Sequence, residues 1–328
     1  MNRMTVKLDQ LKEIFKDNLI EGEFPYIPKG RTISLIMVRT TQSEAIFRTD
    51  GDLNKETVST SLMDPSPITR VVITKRKLTA SERRSGREFF RELGIIPKDC
   101  SINKSSMCGQ CVDCLTYGFA AGDKDSDSKG SMKSRVITDN GYSLLEASQI
   151  SDIKTFNATG ESGTMYDLEE NKQRQSINSD EYVRPQVHFI DIETFKDLRF
   201  GEFLYAFGNI LRTSRYGATS TRIGKINNSI VAIILSNAEV FSSLELTKGV
   251  WDRLEKKEHP MNTSEVEGKT LEVTRELADK LPFKTTIIAG EELQEVLESV
   301  RQAYKEPEEL KAILSELSSW KKDEKKKG

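Results

Sequence analysis

All four cysteines of this chain lie between Cys100 and Cys114, and that clustering restricts what the surrounding segment can fold into. A disulfide framework spreads its cysteines to staple distant parts of a small secreted fold. A tight cluster is the pattern of a metal site. The run reads Cys108-Gly-Gln-Cys111-Val-Asp-Cys114, two successive C-x-x-C steps, with Cys100 a short loop upstream. Thiolates at this spacing can converge on one tetrahedral ion, and four of them complete a closed structural zinc site. Zinc held by Cys100, Cys108, Cys111 and Cys114 is the expected cofactor. An iron–sulfur cluster is the metal alternative, although the downstream Cys-Pro of the ferredoxin pattern is missing. Four reduced, metal-free cysteines are the third reading. With four protein ligands there is no open coordination position, so no catalytic role is expected there.

The rest of the chain is built for a wet surface. Of its 328 residues, 36% are hydrophobic and 30% charged, and the net charge is -2. No stretch approaches the ~18 uninterrupted apolar residues of a membrane span. The N-terminus alternates charge with apolar residues; Leu8, Leu11, Phe15 and Leu19 recur at helical spacing, as in an amphipathic helix rather than a signal peptide. A cytoplasmic protein with no membrane partner is expected.

Hydrophobic patterning predicts strands at Arg31–Arg39, Arg70–Lys75, Ser229–Leu235 and Thr285–Ile288, and two short strands around an Asn-Gly turn in Ser134–Leu145. Helices are expected from Ser81, as N-cap, to Gly94, and over Phe200–Leu211, Thr247–Lys256, Glu291–Tyr304 and Pro307–Trp320. Ile150–Tyr182 offers little to bury and reads as a flexible loop or protruding hairpin. The GDKDSDSKG linker and the KKDEKKKG tail read as solvated and frayed. The order of elements suggests an α+β fold with an RRM-like (ferredoxin-like) core sheet. The core would comprise residues 30–96, 132–150 and 185–290. Residues 97–131 would form the zinc-binding insertion, 151–184 the loop or hairpin, and 291–328 a C-terminal helical segment and tail.

Two basic segments could bind phosphate. Arg70–Arg91 concentrates positive charge, with Lys75, Arg76 and Lys77 before the expected helix and Arg83, Arg87 and Arg91 along one face of it, Arg84 adjacent. Guanidinium forks pair with phosphates and can follow a nucleic-acid backbone without reading sequence. The second segment, Arg212–Lys225, sets Arg215, Arg222 and Lys225 among Gly217, Gly224 and hydroxyl residues, with Tyr216 placed to stack on a base. It is not a Walker loop, because Ile226 follows Gly224-Lys225. A solvated helix face and an ordinary surface turn are the plainer alternatives. Catalytic material is scarce: there are two histidines, of which His188 in a strand-like run reads as structural. Asp50 and Asp52 in TDGDLN could hold Mg²⁺ or assist hydrolysis, though aspartates are common in turns.

The segments SERRSGREFFREL, CGQCVDCLTYGFAAGD, YVRPQVHF and LRTSRYGATSTRIGK, in this order, resemble the type I-D CRISPR backbone subunits of the RAMP superfamily, the seventh Cas family in its broad sense. The resemblance spans about Gly30 to Leu254. It implies an RRM-like core with a zinc-bearing lobe and a thumb at Ile150–Tyr182. Its implied partners are CRISPR guide RNA, target DNA, further copies of the chain and other effector subunits, in a Cascade complex for antiviral defence. It places Arg83, Arg84 and Arg87 where a helix start meets RNA, and Gly217, Arg222, Gly224 and Lys225 in a glycine-rich loop. Related backbones also cut target RNA with an aspartate, which makes Asp52, or Asp50, with Mg²⁺, the residue for an alternative endoribonuclease reading. A zinc-containing module unrelated to CRISPR would share the basic patches without polymerising on RNA.

Overall fold

A computed structural model describes residues 3–102, 106–120, 130–157, 163–167, 171–173 and 177–317. The linker at 122–129 and the tail from 318 onward lie outside these residues. The centre is an eight-stranded antiparallel sheet. Its strands are β1 (Thr32–Thr41), β2 (Lys55–Ser59), β3 (Pro67–Ile73), β4 (Val136–Thr138), β5 (Gly141–Glu146), β6 (His188–Lys196), β7 (Ile226–Ser236) and β8 (Thr286–Ile288). They run in the order β8-β7-β1-β6-β5-β3-β2, with β4 also paired to β6. The helices longer than four residues are α1 (Arg3–Phe15), α2 (Lys75–Glu92), α3 (Val112–Tyr117), α4 (Phe200–Arg212), α5 (Ser243–Arg253), α6 (Thr263–Ala278), α7 (Gly290–Lys305) and α8 (Pro307–Ser315).

β1 explains why the sheet is covered on both faces. Its TISLIMVRTT run is buried at every position, and side chains alternate faces along a strand. Ile33, Leu35 and Met37 enter a core shared with Phe15 of α1, Phe90 of α2, Phe203 and Phe207 of α4 and Val296 and Val300 of α7. Ile36 and Val38 enter the opposite core, under Leu246 and Val250 of α5 and Val266 and Val273 of α6. The C-terminal helices thus pack into the main core. No helix among the described residues is long and apolar enough to cross a membrane.

Two expectations about elements change. Helix α2 begins at Lys75 with Thr74 as the extended N-cap, not at Ser81. Ser81 is buried inside the helix, and the Asn140 side chain accepts from the Lys75 N–H. Lys75, Arg76 and Lys77 therefore form the first helical turn instead of preceding it. The segment read as loop or hairpin contains an antiparallel pair, Ser151–Asn157 with Ile177–Val183. Helix α6 had no counterpart among the expected elements.

Candidate nucleic-acid interface and metal centre

The cysteine sulfurs converge as their spacing required, all four within 4.8 Å of one another. Cys100 Sγ lies 3.9 Å from Cys111 Sγ and 3.7 Å from Cys114 Sγ, and Cys108 Sγ lies 3.9 Å from Cys114 Sγ. An ion with thiolates ~2.3 Å away in a tetrahedron sets sulfurs ~3.8 Å apart. The site therefore fits one four-coordinate ion, whereas a multi-iron cluster needs its cysteines farther apart. Cys108 N–H donates to Cys100 Sγ, and Gln110 and Cys111 N–H donate to Cys108 Sγ, at 3.3–3.4 Å. Such donors stabilise anionic sulfur. Crowding splits the thiols: hydrogen bonding from Cys108 holds Cys100 well down, while hydrogen bonding with Cys100 drives Cys111 and Cys114 up.

Asp113, between two of the cysteines, fastens this loop to α2. It is fully buried. Arg83 grips both carboxylate oxygens, Nε to Oδ1 at 3.0 Å and Nη2 to Oδ2 at 2.6 Å. Arg87 donates to the same carboxylate and to the Cys100 carbonyl, with Cys100 Sγ 3.3 Å away. Arg91 also donates to the Cys100 carbonyl, at 2.7 Å. The expected outward stripe of Arg83, Arg87 and Arg91 is therefore turned inward. Charge that reads as a phosphate track is consumed in balancing Asp113 and the sulfur cluster. Arg70 is likewise buried, donating to the carbonyls of Thr60, Ser143 and Leu144.

What remains exposed gathers elsewhere. A cleft of about 330 Å³ is lined by Arg76, Lys77 and Arg84 of α2, Thr49 and Thr74, and Gly217 of the second basic segment. It joins the two segments that stood more than a hundred residues apart in sequence. Burial and the positive charges of Arg76, Arg48 and Arg84 lower the Lys77 pKa, the signature of cations set close together. Such a concavity, at the first turn of a helix, suits an anion.

The opposite wall is the loop Thr213–Lys225, closed by Arg215 pairing with Lys225 and by Tyr216 N–H donating to the Gly224 carbonyl. Gly217 has φ +91° and Gly224 φ +80°; a Cβ on either would come within 2.4 Å and 2.2 Å of the Ile46 and Tyr216 carbonyl oxygens. Both therefore have to be glycine. Arg215, Arg222 and Lys225 are exposed around the loop. Tyr216, expected to stack on a base, is fully buried.

Tyr216 belongs to a buried ionic network that the sequence reading missed. Arg39 donates to Asp191 (2.6 Å), Glu193 (2.7 Å), Glu82 (3.1 Å), Asn228 (2.8 Å) and the Tyr216 hydroxyl (2.9 Å), which itself donates to Glu82 at 2.9 Å. It ties β1, β6 and β7 to α2 and to the glycine-rich loop, and so holds both walls of the cleft. Burial raises Glu82, against the pull of Arg39, and burial with the Glu82 charge raises Glu193 well above its ordinary 4.5. The available signal was a strand, HFIDIETF, with two acids on the face shared with Phe189 and Phe195. Asp50 and Asp52 are exposed on the turn next to Thr49. His188 is buried and bonds Thr263, consistent with a structural role.

Comparison with known proteins adds the family context. The profile of the Csc2 CRISPR family matches residues 19–314. A search of curated proteins finds no match. Among solved structures, Csc2 from Thermofilum pendens is similar with TM-score 0.59 and 16% identity, over 93% of this chain and 96% of that one. A chain described as "CRISPR RNA-guided surveillance complex, pre-nicking" is similar with TM-score 0.50 and 9% identity, over 83% of this chain and 100% of its own. At these identities the likeness is one of fold.

Proposed function

The chain belongs to the Csc2 CRISPR family, and from that premise we propose that it is a backbone subunit of a type I-D Cascade effector that grips guide RNA. Copies would line up along one strand and present it to target DNA in the cytoplasm. The observation that carries this reading is the cleft between α2 and the glycine-rich loop, where cations meet without an acidic lining residue. Lys75, Arg76, Lys77, Arg84, Arg215, Arg222 and Lys225 would contact phosphates, with Gly217 and Gly224 letting the backbone approach. Arg83 and Arg87 would act from behind, by fixing the metal loop on α2. Such contacts are blind to sequence, which suits a protein whose guide finds its target by base pairing.

The RRM-like core has topological support. Counting β1, β5, β6 and β7 as first to fourth, they lie side by side as fourth, first, third and second, the ferredoxin-like order, with α2 and α4 packed together on one face. The hairpin built on Ser151–Asn157 would be the thumb. The metal would be structural zinc, held by Cys100, Cys108, Cys111 and Cys114.

The test is binding of unrelated single-stranded RNAs to wild type and to R76E/K77E/R84E. The expected result is an equal, at least tenfold loss for every sequence; unchanged affinity, or loss for one sequence alone, would sink the proposal. A second reading rests on the position of Asp50 and Asp52 beside Thr49, which lines the cleft. It makes the chain a Mg²⁺-dependent endoribonuclease acting on target RNA. Periodic cuts that vanish in Asp52→Ala would establish it, and intact target RNA would reject it.

A further inference from the structure

Arg212, the last residue of α4, is held in an unusual way. Its guanidinium lies 4.3 Å from the Phe89 ring centroid and 5.7 Å from that of Tyr304. The two rings are themselves stacked, 5.5 Å apart and 26° from parallel. Arg212 forms no ion pair with a carboxylate among the described residues. An arginine held through its π face keeps its N–H edge free to donate.

The rings are fixed by the fold. Tyr304 Oη donates to the carbonyls of Leu204 and Tyr205 at 3.0 and 3.3 Å. Its ring fills the place where a side chain on Gly208 would stand, since a Cβ there would lie 1.9 Å from it. Around this assembly a cavity of about 390 Å³ is lined by Arg212, Ser214 and Asn227 on one side and Arg301, Tyr304 and Lys305 of α7 on the other, with no acidic lining residue. Lys305 meets Glu298 at 3.6 Å, with both side chains at least half exposed. A pair of that kind competes only weakly with an incoming anion.

The cavity adjoins the neck of the glycine-rich loop. Ile226 N–H donates to the Ser214 carbonyl at 2.9 Å, and the next pair along is the Arg215–Lys225 bridge. We infer that this cavity is a second phosphate-binding pocket, taking a phosphodiester of the strand held in the cleft, with Arg212 as its fixed contact and Arg301 and Lys305 closing its rim. The inference rests on the cleft being an RNA site. It gives the C-terminal helix α7 a part in binding, beyond covering the core.

The experiment measures single-stranded RNA binding to the full chain by fluorescence anisotropy over a series of salt concentrations. It compares wild type, R301E/K305E, R212Q and the cleft variant K77E/R84E. Arg301 and Lys305 are exposed, so their reversal spares the fold, and circular dichroism checks R212Q. The pocket variants should weaken binding several-fold to tenfold. R301E/K305E should also flatten the slope of log K against log salt by about 1.4, at ~0.7 per phosphate contact on a single strand. If K77E/R84E weakens binding while R301E/K305E and R212Q change neither affinity nor slope, the pocket is overturned and the cleft stands. If only the pocket variants weaken binding, RNA is held at the pocket but not in the cleft, and the inference of one strand engaging both is overturned together with the cleft. If no variant matters, both fall.

Discussion

Asp113 sits between Cys111 and Cys114 and neutralises Arg83 and Arg87, while also accepting from Tyr205 at 3.0 Å. Removing one partner of a buried ion pair leaves the other uncompensated, at a cost of about 3–5 kcal/mol. Asp113→Asn should therefore lower the urea midpoint sharply, and it should loosen the metal as well, which a competing chromophoric chelator would read. Arg83→Gln should cost less, because Arg83 keeps some access to solvent whereas Arg87 has almost none. Glu193 makes a prediction of opposite sense. Its pKa lies well above the ordinary 4.5 because of burial and then Glu82. The folded chain thus keeps a proton that the unfolded chain releases, so this residue subtracts stability as pH rises above about 4.5. Glu193→Gln should remove that loss: the wild-type minus variant difference in unfolding free energy should grow more negative between about pH 5 and 8. A flat difference would show that Glu193 titrates normally.

At the scale of elements, the strands, the amphipathic helices and the convergence of the four cysteines were legible, because each announces itself by a local period or a fixed spacing. Phe200–Leu211 was expected and α4 spans Phe200–Arg212. What could not be read locally was the partner of each charge. Arg83 and Arg87 share a face with helical spacing, but their destination depends on Asp113, which reaches them only when the cysteine loop folds back. Tyr216 looked available in a loop of small residues, yet Arg39 and Glu82 claim its hydroxyl from elements distant in sequence. The start of α2 moved for the same reason, since Leu78 is buried ahead of Ser81. The cysteine loop therefore works as a clamp on α2, through Asp113 and the Cys100 carbonyl. Stripping the ion with a chelator, or making Cys108→Ser/Cys111→Ser, should release about one zinc per chain by atomic absorption and expose Arg83 and Arg87. It should lower stability while far-UV circular dichroism keeps the signal of the sheet.

For the molecule as a whole, the balance of charge is instructive. With a net charge of -2, any attraction to nucleic acid has to come from the local surface of the cleft and its surroundings. Affinity for single-stranded RNA should fall steeply with salt, the logarithmic slope counting roughly 0.7 per phosphate engaged. R76E/K77E/R84E should reduce that slope by about 2, measured across a salt titration. A slope near zero in wild type would contradict a phosphate grip.

The sheet ends in β2 and β8, strands of five and three residues. Lys55, Glu56 and Thr57 of β2 are exposed. Long open edges invite neighbouring chains to zip together by backbone pairing and aggregate. Edges this short, with Lys55 and Glu56 exposed on one of them, give an adjacent copy little to pair with. In the proposed assembly, copies set side by side would thereby be spared from fusing into one continuous sheet, and the spacing between them would be left to side-chain surfaces and to the strand they are proposed to hold.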